Sequence, residues 1–346
     1  MKAYLNTYFK VLITIILTIG LLNYFVDPLW YHAGNQLTSI NPPWNERVAK
    51  TNLYLQHPEE YNCLVFGTSR ATLIHTEAFK QHKCFNYSFS GGKIEEIVSY
   101  ADYIKQKGAK PAIVYVEVEP SKLNESSEDS YLTAKDIQPA PLYQTYFFSM
   151  NTLFLSLKTV LGLYDYSRLY NQDFQITLSQ DIPEYEPELI EPEELEEAKD
   201  WEECKLERVK SYQALKQKFP DAEFVGFVAP ISAWRVFNAM YAEGLLKCQL
   251  AGAYQIASLF THFYDFAVPS PVTTRTDNTY DGNHYYPQVF QEVARTLEGH
   301  VSTFGIDVKR YSLAEYQNLY LNRLQQFLQQ IGAGDRWQGE NGVETH

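Results

Sequence analysis

Asp281 and His284 stand three residues apart in the run TYDGNHYYPQVF, just before Pro287, which can open a helix at its first turn. A carboxylate that close to an imidazole can hold it in one tautomer. The imidazole can then serve as base toward a hydroxyl brought from elsewhere in the chain. Asp277 is an alternative partner for the same ring. A zinc site finds no second His or Cys at ligand spacing, and this chemistry calls for no metal or cofactor. The candidate hydroxyl is that of Ser69 in CLVFGTSRATLIHTEAF, where a short apolar run breaks on Gly67 and presents Thr68, Ser69 and Arg70. The carboxyl ends of strands are where α/β sheets bind ligands. A serine in that place is also a common helix cap, and the residue alone does not separate the two roles.

Arg70 adds a constraint. A cation in the first turn of a helix opposes the helix dipole, so it asks for a carboxylate or an anionic ligand. Glu117 and Glu119, at the end of IVYVEVEP, are the candidates, and their other reading is a pair of solvated acids past the sheet edge. A third stretch, FNYSFSGGKIEE, carries Ser90, Gly91 and Gly92 between an apolar run and a helical pattern. Glycines there let backbone N–H groups turn toward an oxyanion, or simply make a tight turn.

The elements that must position these residues alternate. Strands are expected at Cys63–Phe66, Cys84–Tyr87, Ala112–Val118, Glu223–Val228 and Phe263–Phe266. Helices are expected at Thr76–Gln81, Ile94–Lys107, within 140–170, at 200–218, around Ala233–Leu259 and at Pro287–Leu297. Alternation of this kind implies a mostly parallel sheet covered on both faces. The hundred or so residues between the third and fourth strands are too many for one crossover and read as an insertion over about 120–220. Its apolar stretch YFFSMNTLFLSLKTVLGL is interrupted by Asn151 and Lys158. It reads as a packed or membrane-facing helix, not as a second span.

Charge and hydropathy set the context. The net charge of −13 argues against nucleic acid. Residues 183–203 hold eleven acids and one lysine, which leaves the rest of the chain near −3. The run reads as a solvated loop entering a charged helix, with a tail for a cationic partner as the alternative. Val11–Val26 carries no charge and, with Tyr8 and Phe9, is long enough to cross a bilayer. Lys2 and Lys10 precede it, so residues 1–10 are expected in the cytoplasm and the body outside. A cleaved signal peptide is the competing reading, but Asn23–Val26 is bulky for a cleavage site. Residues 27–60 read as a linker lying against the body, and 301–346 as a terminal helix and tail. Four cysteines, Cys63, Cys84, Cys204 and Cys248, suit an oxidising compartment as two disulfides or stand as four buried thiols.

Taken in order, Gly67-Thr68-Ser69, Gly91 and Asp281-Gly282-Asn283-His284 resemble the blocks of the SGNH hydrolase superfamily over residues 60–300. The likeness is greatest to its membrane-anchored branch, which is similar to the SGNH proteins of alginate O-acetylation and of teichoic-acid D-alanylation. The resemblance implies a three-layer fold over residues 61–300, built on a flavodoxin-like, mostly parallel five-stranded sheet. It implies a Ser69 nucleophile, a His284 base oriented by Asp281, and oxyanion donors in the N–H groups of Ser69 and Gly91. Arg70 would bind an anionic part of the substrate or lock Glu117. The implied activity is that of a serine esterase or O-acyltransferase on a cell-envelope glycan, with a membrane-bound acyltransferase as a candidate partner. One block departs: the family's Gly-x-Asn is absent from VEVEPSKLN, and Asn124 comes late. A site without that donor either finds a substitute donor, is slower, or is a binding module without turnover. In the flavodoxin-like order the first two strands are neighbours. Cys63 and Cys84, each six residues before a candidate loop serine, should then lie side by side as a disulfide, leaving Cys204 for Cys248.

Overall fold

The computed structural model describes residues 2–123, 133, 136–137, 141–179, 182–189, 204–239 and 243–334. In chain order its first elements are helix α1 (Lys2–Val26), strand β1 (Ile40–Asn41), helix α2 (Glu46–Gln56), strands β2 (Cys63–Phe66) and β3 (Cys84–Asn86), helix α3 (Ile94–Gln106) and strand β4 (Ile113–Glu117). Then come helices α4 (Leu142–Phe147) and α5 (Met150–Val160), strands β5 (Arg168–Asn171) and β6 (Ile176–Leu178), helix α6 (Val209–Lys218) and strand β7 (Glu223–Val228). The chain finishes with helices α7 (Ala233–Ala239) and α8 (Glu243–Ala257), strand β8 (His262–Asp265), helix α9 (Pro287–Leu297), strand β9 (Ile306–Asp307) and helix α10 (Leu313–Gln330).

Two compact units emerge. The first gathers Met1–Pro58 with Leu132–Ile182, and the second Glu59–Tyr131 with Pro183–His346. The second holds the main sheet, in the order β3-β2-β4-β7-β8-β9. Its first five strands run parallel, and β9 closes the edge antiparallel to β8. This sixth strand departs from the five expected. Two residues are too short to show an alternating pattern. Every residue of β2, β3 and β4 is buried, as parallel strands covered on both faces require. Cys63 pairs in register with Cys84 across β2 and β3, and the two form a disulfide. Cys204 and Cys248 form the other.

Several helices are shorter than the pattern suggests. Thr76–Gln81 is only a 3-10 turn, Thr76–Ala78, because Phe79 turns extended and stacks on Tyr115 of β4 at 4.8 Å. The helix expected over 200–218 begins at Val209, and in that over 233–259 the described residues form α7 and α8. Residues 190–203, most of the acidic run, lie outside the described residues, as does Asn124.

The first unit contains α1, the one helix among the described residues long and apolar enough to cross a membrane. The segment read as a linker folds here. Asp27 sits buried at the end of α1, where its carboxylate accepts the N–H groups of Tyr31, His32 and Gly34. Beyond it α2 is capped by Asn45, whose side chain accepts Val48 N–H. Strands β1, β5 and β6 form a small antiparallel sheet. The Nζ of buried Lys50 from α2 lies 5.5 and 5.6 Å from the centroids of the stacked rings of Tyr170 and Phe174.

Candidate active site

The loop after β2 is shaped by what surrounds Gly67. A Cβ there would lie 2.6 Å from both Ala71 Cβ and Glu117 Oε2, so only glycine fits. The chain then makes one 3-10 turn, Ala71–Leu73, with Arg70 at its N-cap. Ser69 is therefore not a helix cap. Asn86, at the end of β3, donates to the carbonyls of Ala71 and Ile74 and pins the far side of the turn. Glu117, at the end of β4, pins the near side. Its Oε2 accepts Thr68 N–H at 2.6 Å and the Thr68 hydroxyl at 3.1 Å, and its Oε1 accepts Arg70 Nε–H at 2.9 Å. Arg70 Nη2 also lies 3.2 Å from Glu119, an ionic contact without hydrogen-bond alignment. Burial disfavours the Arg70 charge, but Glu119 and Glu117 outweigh it and raise its pKa.

The second half of the site is a tight loop closed by the Thr279–Tyr285 bridge. Gly282 supplies a positive φ of 74°, and the Thr279 hydroxyl accepts its N–H and donates to the His284 carbonyl. Asp281 serves this loop twice. Its Oδ1 accepts the N–H groups of Asn283 and His284, and its Oδ2 lies 2.6 Å from His284 Nδ1. Burial pushes the Asp281 carboxyl up, but the imidazole and these backbone donors hold it below its ordinary value. The other imidazole nitrogen, Nε2, is 2.8 Å from Ser69 Oγ, across 215 residues of chain. With the Nδ1 proton donated to Asp281, Nε2 is left to accept from the serine hydroxyl.

Around this triad the Ser90-Gly91-Gly92 turn packs close to the serine loop. Phe89 N–H donates to the Gly67 carbonyl, and a Cβ on Gly92 would come within 3.2 Å of the same oxygen. Gly92 N–H closes the turn onto Phe89, and Gly91 holds a φ of 63° with open space beside it. A cavity of about 150 Å³ reaches Thr68, Gly91 and Glu119. A second, of about 250 Å³, reaches Arg70 and Asn283 and is walled by Ile231, Leu246 and Leu250. Among the described residues no group of three His, Cys, Asp or Glu could hold a metal ion.

Known proteins add little to this geometry. No family model and no curated protein matches the chain. A solved structure from Streptococcus pneumonia, provisionally described as a platelet activating factor, aligns over 73% of this chain and 91% of its own with 9% identity and a TM-score of 0.37. Likeness at that level transfers neither fold nor activity.

The structure thus brings Ser69, His284, Asp281, Arg70, Glu117 and Glu119 into one cluster. Asp277 is elsewhere: it forms an exposed pair with Arg275. Sequence reasoning missed two rings. Tyr280 stacks on the His284 imidazole, 5.5 Å away and within 6° of parallel, and Tyr185 covers Gly282 so closely that a Cβ there would overlap its ring. Tyr280 was visible in the same run but had no assigned task. Tyr185 lies a hundred residues upstream in the acidic stretch, and nothing local marks it.

Proposed function

We propose that this chain is a membrane-anchored serine esterase or O-acyltransferase of SGNH type, with its body outside the cytoplasm and a cell-envelope glycan as substrate. The observation that carries the reading is the hydrogen-bonded line from Ser69 Oγ through His284 to Asp281. Ser69 Oγ attacks the acyl carbonyl while its proton passes to His284 Nε2. The tetrahedral intermediate collapses, and the departing alcohol takes that proton, leaving an acyl-serine. Water or a sugar hydroxyl then attacks the acyl carbon with His284 as base, and Ser69 leaves as a hydroxyl. The N–H groups of Ser69 and Gly91 steady the oxyanion. The apolar-walled cavity beside Asn283 suits the acyl or leaving group. The anchor, the lysines before it and the two disulfides support the location. A membrane-bound acyltransferase would supply the acyl donor if transfer, not hydrolysis, is the reaction.

A second reading has its own support. VEVEPSKLN carries no asparagine where the family pattern expects one, and Glu119 in that stretch offers an acceptor, not a donor. Loss of one oxyanion donor costs about 10²–10³ in rate, which favours a glycan- or partner-binding module. Labelling with a fluorophosphonate, together with hydrolysis of p-nitrophenyl acetate, separates the two. The esterase reading expects both in the full chain and neither in Ser69→Ala. Absence of both in the unaltered protein rejects it in favour of the binding module.

A further inference from the structure

Helix α5 is amphipathic the wrong way round for water. Its buried residues are Thr152, Ser156 and Thr159, while Met150, Phe154, Leu157 and Val160 point outward. Exposure continues through Phe148 before the helix and Leu161 and Leu163 after it; Phe148 is 66% exposed, Phe154 56% and Leu161 64%. A surface helix in water shows the opposite arrangement. The buried hydroxyls are used inside the unit. Ser156 donates to Asn23 of α1 at 2.8 Å, and Thr159 accepts Trp44 Nε1–H at 2.9 Å.

The place where α4 and α5 meet α1 fixes their depth. Asn23 donates to the Tyr146 carbonyl, and the Phe147 ring lies against Gly20, where any Cβ would overlap it. Gly20 precedes the end of α1 by six residues, about 9 Å along the axis. If Val11–Val26 lies in the hydrocarbon core, so does this contact. The exposed apolar face of the α4–α5 pair then stands in lipid. Beside it gather groups suited to the membrane boundary. Trp44 meets Tyr164 and Tyr166 edge to face, and Lys158 reaches over the Trp44 and Phe154 rings.

We infer that the α4–α5 pair is a second, non-spanning membrane element, which inserts into the outer leaflet beside α1 and takes lipid acyl chains as its partner. At 11 residues α5 is far too short to cross. The inference rests on reading α1 as a membrane span. Nitroxide labels test both. Single substitutions Phe154→Cys, Leu157→Cys and Leu161→Cys are placed in the full chain, whose native cysteines are all paired. Leu17→Cys on α1 and exposed Lys110→Cys are the references. The proteins are reconstituted in phosphatidylcholine–phosphatidylglycerol vesicles, and collision with oxygen is compared with collision with a water-soluble nickel chelate. Labels at 154, 157 and 161 should favour oxygen as the label at 17 does, by several-fold over that at 110. A nickel-favouring pattern at these positions, with position 17 in lipid, overturns this inference alone. Low collision with both reagents means that protein covers the face, a second copy or a partner, and overturns it as well. A nickel-favouring label at position 17 overturns the anchor reading and this inference together.

Discussion

At the scale of single residues, the candidate site rests on a half-buried hydrogen-bonded line and a buried ion pair, with different costs of disruption. Asp281 orients His284 through Oδ2, so Asp281→Asn should keep the loop but favour the wrong tautomer. Ester hydrolysis or fluorophosphonate labelling should slow by about 10³–10⁴-fold, as followed by the rate of probe incorporation. Glu117 behaves differently, because it neutralises a fully buried cation and holds the Thr68 N–H. Removing one partner of such a pair leaves an uncompensated charge. Glu117→Ala should therefore lower stability by about 3–5 kcal/mol in denaturant titration, while Arg70→Met/Glu117→Met together should recover much of the loss.

At the scale of elements, the serine loop depends on the close approach of β2, β4 and the turn after β3. Gly67→Ala forces a Cβ into Ala71 and Glu117, so it should abolish serine labelling even where the sheet survives, as circular dichroism would check. The disulfides act on the unfolded chain. Closing loops over sequence separations of 21 and 44 residues corresponds to about 3 and about 4 kcal/mol. Cys63→Ser/Cys84→Ser should thus cost slightly less than Cys204→Ser/Cys248→Ser in equilibrium unfolding.

At the scale of the whole molecule, one buried acid links global stability to pH. Asp265, at the end of β8, accepts the Tyr316 hydroxyl of α10 and the Ala267 N–H, yet burial dominates and pushes its pKa up to about 6. The folded chain therefore keeps this proton after the unfolded chain has lost it. Stability from this group is fully present below about pH 4, falls by roughly 3 kcal/mol as pH rises to about 6, and is flat above. Unfolding free energies measured from pH 4 to 7 should show this fall, and Asp265→Asn should remove it. Topology is tested at the same scale: an export-dependent reporter fused at the C-terminus should be active, and activity only in the cytoplasm would reverse the assigned orientation.

Period and punctuation in the sequence were enough to mark the five strands, short apolar runs followed within a few residues by glycine, proline or charge. They also marked the uncharged helix and the residue types of the triad. In the flavodoxin-like order that the resemblance implies, the first two strands are neighbours, so the Cys63–Cys84 pairing was legible before any coordinate. The sixth strand was not, since two residues carry no pattern, and neither was the division of the chain into units, which joins segments more than seventy residues apart. Whether Ser69 capped a helix or faced an imidazole was open in the sequence, because both roles ask for the same residue at the same strand end. Only the folded chain, by bringing residue 284 to residue 69 and following the serine with short 3-10 turns in place of a helix, set the hydroxyl against Nε2. The outward apolar face of α5 was likewise ambiguous, because a helical pattern gives which residues share a face but not which face the rest of the protein covers.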